Sequence, residues 1–204
     1  MKKLERMQNL IVVGHPDKES FCYNGIFKTI QKTLLESDYL NEIQVIDLYR
    51  DDFARPRTDL IERYKELVTW ADRIYFVSPV WWFRLTPRTE IFFDEVLTPG
   101  FAYQFVNVTK LYAYPKSFLS DKKVRTYVTH GAPALPVKTL YLNSVKLRLV
   151  MGVYSFVFGW KLRICASCNG TGKYDSHHSP PCGACEGTGK ERYPSEKASI
   201  TQKK

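Results

Sequence analysis

Apolar and polar positions fall into alternating blocks over the first 160 residues. Asn9–Gly14 ("NLIVVG") is an unbroken apolar, β-branched run closed by glycine, the pattern of a parallel strand buried on both faces. A polar turn follows, and Ser20 is a good N-cap residue for a helix running to about Ser37, with Ile26, Ile30 and Leu34 on one face. Glu42–Leu48 predicts a second strand. Asp59 followed by Glu62 starts a second helix that ends near Trp70. Asp72–Val80 predicts a third buried strand, Arg88–Leu97 a third helix and Lys122–Gly131 a fourth strand. Leu142, Val145, Leu149 and Gly152 form a helical stripe within Tyr141–Phe158, and Gly159 is placed to stop that helix. Trp160–Cys165 fits a fifth strand. Strands alternating with helices predict an α/β fold, an open five-stranded parallel sheet with helices on both faces. Ligands of such sheets sit at the carboxyl ends of the strands, which here means the loops at 14–22, 79–86 and 129–136.

Charge adds little to this picture. The chain carries a net +9, with 22 basic against 17 acidic residues in 1–160 and 8 against 4 in 161–204. An excess spread this evenly is a solvated surface that would also suit an anionic ligand. The first apolar run is too short for a signal-peptide core, and the longest, Leu149–Trp160, is too short to span a bilayer. The expected setting is the cytoplasm, where clustered cysteines serve metal or redox chemistry rather than structural disulfides.

Each of the three loops has its own chemistry. In the first, "GHPDKESFCYNG", amides at a helix start offer an anion site, joined by the Ser20 hydroxyl and the His15 ring. It matches neither a P-loop nor a Gly-x-Gly-x-x-Gly fingerprint, and a plain capped turn without ligand is the alternative. In the second, Val80, Trp81, Trp82 and Phe83 are consecutive and cannot all face a core. Such a row of rings suits a flat aromatic ligand, or else packs under a neighbouring loop or subunit. The third, Thr129–Pro133, supplies small residues that let a ring lie against the main chain.

These residues carry a resemblance. His15-Pro16 with Ser20-Phe21, Pro79-Val80-Trp81-Trp82-Phe83, Phe92–Tyr103 ("FFDEVLTPGFAY") and Thr129-His130-Gly131-Ala132 together resemble the flavodoxin-like NAD(P)H:quinone oxidoreductases, the family of DT-diaphorase and of an ancillary reductase of bacterial potassium efflux. The likeness runs from roughly residue 8 to 164 and is strongest in the middle signature. It implies a doubly wound sheet of order 2-1-3-4-5 and bound flavin, FMN in preference to FAD. It also implies hydride transfer from NAD(P)H to a quinone or similar two-electron acceptor. His15, Ser20 and Phe21 would meet the flavin phosphate end. Pro79, Val80, Trp81, Trp82 and Phe83 would cradle the ring system, and Thr129, His130, Gly131 and Ala132 would meet its pyrimidine edge. Family members are typically homodimers, and Trp82, Phe83 and Phe101–Phe105 are the candidate contacts here. The sequence departs from the family at Glu90 and Glu95, where basic residues are usual, and at His130 and Ala132. Val137 and Asn143 occupy the positions of the family's catalytic Tyr and His, with Tyr141 out of register. No catalytic side chain is therefore carried over.

The last forty residues differ in kind. Cys165-x-x-Cys168 and Cys182-x-x-Cys185 have the spacing of a four-thiolate zinc site, with rubredoxin-like iron or two redox dithiols as alternatives for the same sulfurs. Each pair is followed by Gly-Thr-Gly, and the repeat resembles half of the cysteine-rich domain of DnaJ-type chaperones. The His15-Pro16-Asp17 triplet follows a buried strand rather than joining two helices, so no J-domain is expected. Three segments result: a flavin-binding domain at 1–164, a cysteine module at 165–190 and a polar tail at 191–204. The competing readings are a regulatory subunit of a partner such as a transporter, docked through the cysteine module, and a nucleic-acid binder, which the sparse aromatics of the basic tail disfavour.

Overall fold

The computed structural model describes residues 6–37, 40–109 and 112–159. Its centre is a parallel sheet of β1 (Arg6–Val13), β2 (Leu40–Asp47), β3 (Arg73–Pro79) and β6 (Lys123–Thr129), in the spatial order β2-β1-β3-β6. The register runs without a slip: Asn9 to Val13 face Arg73 to Val77, and Arg73 to Pro79 face Lys123 to Thr129.

The run that predicted β1 is divided between the two faces as strand geometry requires. Leu10 and Val12 enter one core with Ile46, Ile74 and Phe76. Ile11 and Val13 enter another with Val77. The first core is covered by α2 (Thr58–Trp70), through Tyr64 and Val68, and by α3 (Pro87–Val96), through Phe92, Phe93 and Val96. The second is covered by a π-helical turn (Cys22–Phe27) that runs into α1 (Lys28–Leu35), through Cys22, Tyr23, Ile30 and Leu34. Each fully buried aliphatic or aromatic side chain contributes about 1.5–3 kcal/mol through removal of apolar surface from water.

Four expectations need correction. The described sheet has four parallel strands, not five, because the strand expected at Trp160–Cys165 lies outside the described residues. Between α3 and β6 the chain forms an unexpected antiparallel hairpin, β4 (Tyr103–Thr109) with β5 (Tyr112–Ser117), where Tyr103 and Phe105 pack their ring edges on Phe156. Ser20 does not cap the first helix with its side chain. The first turn is instead held by the Ser20 carbonyl, which accepts from the amides of Tyr23 and Asn24. The last helix does not start at Tyr141. Leu142 and Asn143 are both left-handed, at φ 49°, and divide α4 (Ala134–Lys138) from α5 (Ser144–Leu147). A π-helical stretch, Arg148–Tyr154, then shifts the stripe before α6 (Ser155–Val157), so Val145 and Leu149 are buried while Gly152 is exposed. Gly159 ends the helix at φ 72°, as expected of a glycine stop.

The two acidic departures are accounted for by partners. Glu95 accepts two hydrogen bonds from Arg57, at 2.6 and 2.5 Å, and Arg57 is itself held over the Phe53 ring. Glu90 accepts from the Leu85 amide at 2.8 Å and from Arg148. The Arg57 bonds hold the Glu95 carboxyl below its ordinary value of 4.5, and burial opposes them. A carboxyl lowered on folding stabilises the protein above its unfolded value, and that contribution is lost as pH falls through the folded value. Acid unfolding followed by circular dichroism should therefore lose a component in Glu95→Gln below about pH 4.5. A wild-type acid limb unchanged by the substitution would contradict this.

Candidate functional site

All three predicted loops gather at the carboxyl edge of the sheet. Gly14 leaves β1 with its amide donating to the Val77 carbonyl at 2.8 Å, which places the first loop against β3. The loop is folded by Asp17, whose carboxylate accepts from the Glu19 amide at 2.9 Å. The Asp17 amide donates in turn to His15 Nδ1 at 2.9 Å. That bond orients the His15 ring edge-on toward Trp81, with centroids 6.3 Å apart, and so joins the first loop to the second. The Val80 amide donates to the Thr129 carbonyl at 2.9 Å, joining the second to the third.

The second loop is a tight reversal. The amides and carbonyls of Trp81 and Arg84 exchange hydrogen bonds of 2.8 and 3.0 Å around Trp82 and Phe83. Both central residues are left-handed, at φ 50° and 61°, the pattern of a type I′ turn that ordinarily takes Asn and Gly. Holding two aromatic residues there costs about 1–2 kcal/mol each. What this conformation achieves is presentation: Trp82 is 90% exposed and Phe83 50%. Phe83 packs against Tyr141 at a centroid distance of 4.9 Å, and the two, with Val80, Trp82, His130, Gly131 and Ala132, line a cavity of about 220 Å³. Pockets that engulf a whole ligand run to roughly 300–1,000 Å³, so this one suits one end of a flat molecule.

The predicted residues are not all brought together. His15, Trp81, Val80 and Thr129 are linked as described, and Pro79 pairs with Thr129 across the sheet. Phe21 goes elsewhere. Its ring lies over Gly25 and lines a groove along α1 with Tyr75 and Tyr127, away from the aromatic turn. Cys165, Cys168, Cys182 and Cys185 lie outside the described residues. Among the described residues no cluster of His, Cys, Asp and Glu is placed to hold a metal. Cys22 contacts the Thr129 hydroxyl at 3.5 Å, and burial pushes its thiol up, so it is a packing residue rather than a nucleophile.

Sequence reasoning missed several contributors. Val137, Tyr141 and Asn143 all reach the cavity, although only their alignment positions drew attention. Arg50, in the turn that follows β2, donates to the Pro16 carbonyl at 3.1 Å and brings a guanidinium to the first loop. No local pattern marks it. Tyr23 donates to Asp47 beside the same loop. Burial and then Asp47 push its phenol well up, so it stays a hydrogen-bond donor at neutral pH.

A flavin fits this donor set. The Ser20 Oγ is buried and has no partner, so the first loop holds a hydroxyl ready for a ligand oxygen. The Arg50 cation stands in the same loop region, and flat rings stand at the second loop, with the small residues of the third beside them.

Comparison with known proteins agrees with the architecture. Residues 7–146 match a family model described as flavodoxin-like fold. Over 100 residues the chain is 33% identical to YdeQ of Bacillus subtilis, named as an uncharacterized NAD(P)H oxidoreductase, across 49% of this chain and 47% of that protein. The match thus spans about half the length of that curated relative. Among solved structures, Smu.1420 of Streptococcus mutans superposes with a TM-score of 0.62 at 27% identity, covering 74% of this chain and 82% of that one. A putative quinone reductase of Klebsiella pneumoniae superposes at 0.61 with 21% identity, covering 76% and 72%, and shares the fold. No helix among the described residues is long and apolar enough to cross a membrane. With its doubly wound parallel sheet and a family match over residues 7–146, the chain belongs to the flavodoxin-like fold family.

Proposed function

We propose that this protein is an FMN-dependent NAD(P)H oxidoreductase acting on quinones or similar two-electron acceptors. The observation that carries the reading is the unpartnered, buried Ser20 hydroxyl in a loop tied by His15 and Trp81 to an aromatic cavity. The name of the Bacillus subtilis relative points the same way. Bound flavin supplies the two-electron hydride chemistry between NAD(P)H and the acceptor.

The chain's own part is binding, orientation and exclusion of water. Ser20 and Arg50 hold the phosphate end. Trp81, Trp82 and Phe83 offer flat faces to the ring system, with Tyr141 packed against Phe83 beside them. Main chain at Thr129–Ala132 faces the ring's polar edge, where backbone donors would stabilise negative charge. No acid or base is needed among these side chains, because hydride transfer depends chiefly on placement. In a homodimer the candidate contacts are the exposed Trp82 and Phe83 and, in the Phe101–Phe105 segment, the exposed Phe105. Cys165, Cys168, Cys182 and Cys185 of the 165–190 segment, which follows the 1–164 flavin domain in sequence, bind zinc as a four-thiolate module, and 191–204 is a polar tail.

An absorption spectrum with metal analysis on one purified sample tests all of this. The expected protein is yellow, is bleached by NAD(P)H, recovers colour with a quinone and contains zinc. A colourless protein that takes up neither FMN nor FAD would end the flavin reading. Iron with a rubredoxin-like spectrum would replace zinc.

A further inference from the structure

Three hydroxyls lie buried beneath the candidate site: Ser78 at the end of β3, Thr86 at the start of α3, and Thr89 one turn later. Their exposures are 0%, 0% and 1%. Thr86 Oγ1 donates to the Gly14 carbonyl at 2.7 Å and lies 2.9 Å from Thr89 Oγ1. A hydroxyl has a single proton, so with the Thr86 proton on Gly14 the second contact must use the proton of Thr89. The Thr86 amide donates to Ser78 Oγ at 3.3 Å, and Ser78 Oγ donates to the Pro79 carbonyl at 3.1 Å.

Gly14 is therefore held by both of its backbone groups. Its amide is bound to Val77, just before the aromatic turn, and its carbonyl to Thr86, just after it. The close approach needs glycine, since a Cβ at Gly14 would fall 2.0 Å from Thr89 Oγ1. Packing alone would be met by valine or alanine at these positions without burying three hydroxyls. What the hydroxyls add is direction: they join the root of the first loop to the two flanks of the Trp81–Arg84 turn.

We propose that Thr86 is a positioning residue that sets the spacing between the phosphate-binding loop and the ring-binding turn. The inference rests on the flavin reading above. Its consequence is selectivity: a ligand with a ring at one end and a phosphate at the other is preferred over the same ring without phosphate.

The test compares FMN with riboflavin on the full-length protein, in wild type, Thr86→Val and Thr86→Ser. Valine keeps the shape and leaves the Gly14 carbonyl without its donor, while serine restores the donor. Loss of one buried hydrogen bond should weaken FMN binding by about tenfold in Thr86→Val and leave riboflavin binding within about threefold. Thr86→Ser should recover the preference for FMN, which a role in packing alone would not produce. An FMN-to-riboflavin ratio unchanged in Thr86→Val overturns the proposal, as does failure of serine to rescue it. If Thr86→Val does not fold, Thr89→Val removes the donor behind Thr86, and the same ratio decides. A wild type that binds neither ligand refutes the flavin reading instead. Amide exchange on the ligand-free protein then decides the positioning role. Faster exchange over 15–20 in Thr86→Val, reversed in Thr86→Ser, supports it, and equal rates in all three proteins overturn it.

Discussion

Gly14→Ala should destabilise the protein by about 3 kcal/mol or more, because it inserts a methyl group into a filled and hydrogen-bonded space. The added Cβ would stand 2.0 Å from Thr89 Oγ1 and 3.1 Å from Thr86 Oγ1. Neither neighbour can yield cheaply. Turning Thr89 about χ1 breaks its 2.9 Å contact with Thr86, and moving Thr86 breaks its bond to the Gly14 carbonyl. Shifting the glycine backbone loses the bond to Val77 at the centre of the sheet. Urea unfolding should show a lower midpoint with an unchanged slope, the signature of lost stability rather than an altered denatured state. The double variant Gly14→Ala with Thr89→Ala tests the cause. Removing the Thr89 hydroxyl leaves only its Cβ, 3.4 Å away, and should recover part of the loss. A double variant less stable than the sum of the two singles would show that the clash is not the source.

Replacing the aromatic pair at the turn should move stability and binding in opposite directions. Trp82→Asn with Phe83→Gly gives the left-handed turn the residues its conformation favours. Relief of about 1–2 kcal/mol of backbone strain per residue is offset by the added freedom of glycine in the unfolded chain, about 0.5–1 kcal/mol. The net expectation is a protein more stable by about 1–3 kcal/mol. Its flavin affinity should fall roughly a hundredfold, since each stacking ring contributes on the order of 1–3 kcal/mol. Thermal unfolding of the ligand-free protein and titration with FMN read the two effects separately. Unchanged affinity would move the ring site away from this turn. Lower stability would mean that the contact of Phe83 with Tyr141 outweighs the strain. The placement of strain at exposed rings has a physical logic: a turn that keeps two aromatic residues left-handed gains nothing in folding, and its benefit must lie in what those rings contact.

The parallel sheet was readable because buried parallel strands leave a local trace. Residues such as Leu10–Val13 and Ile74–Val77 must be apolar without interruption when both faces are covered, and glycine, proline or polar residues must follow where the chain turns. α2 and α3 were readable for the same reason, through residues three and four apart such as Tyr64 with Val68 and Phe92 with Val96. The β4–β5 hairpin was not, because its two strands pair with each other and pack on Phe156 at one edge, which needs no long apolar run. The break at Leu142 and Asn143 was hidden as well, since neither residue is a glycine and the stripe runs straight through them.

By itself, then, the order of residues determined the parallel strands, the helices between them and the three loops at their carboxyl ends, since burial against a sheet imposes a period that any short window carries. Only the tertiary structure decided which side chains in those loops meet. Gly14 and Thr86 are 72 positions apart, and Phe83 and Tyr141 are 58 apart. Contacts at that separation depend on the strand order β2-β1-β3-β6 and on two left-handed residues in one turn. Phe21, adjacent to Ser20, illustrates the limit: both stand in one short motif, yet the backbone sends the phenylalanine ring over Gly25 and leaves the serine hydroxyl in the loop. Periodicity reports which face a residue occupies, and packing between distant segments sets what it touches there.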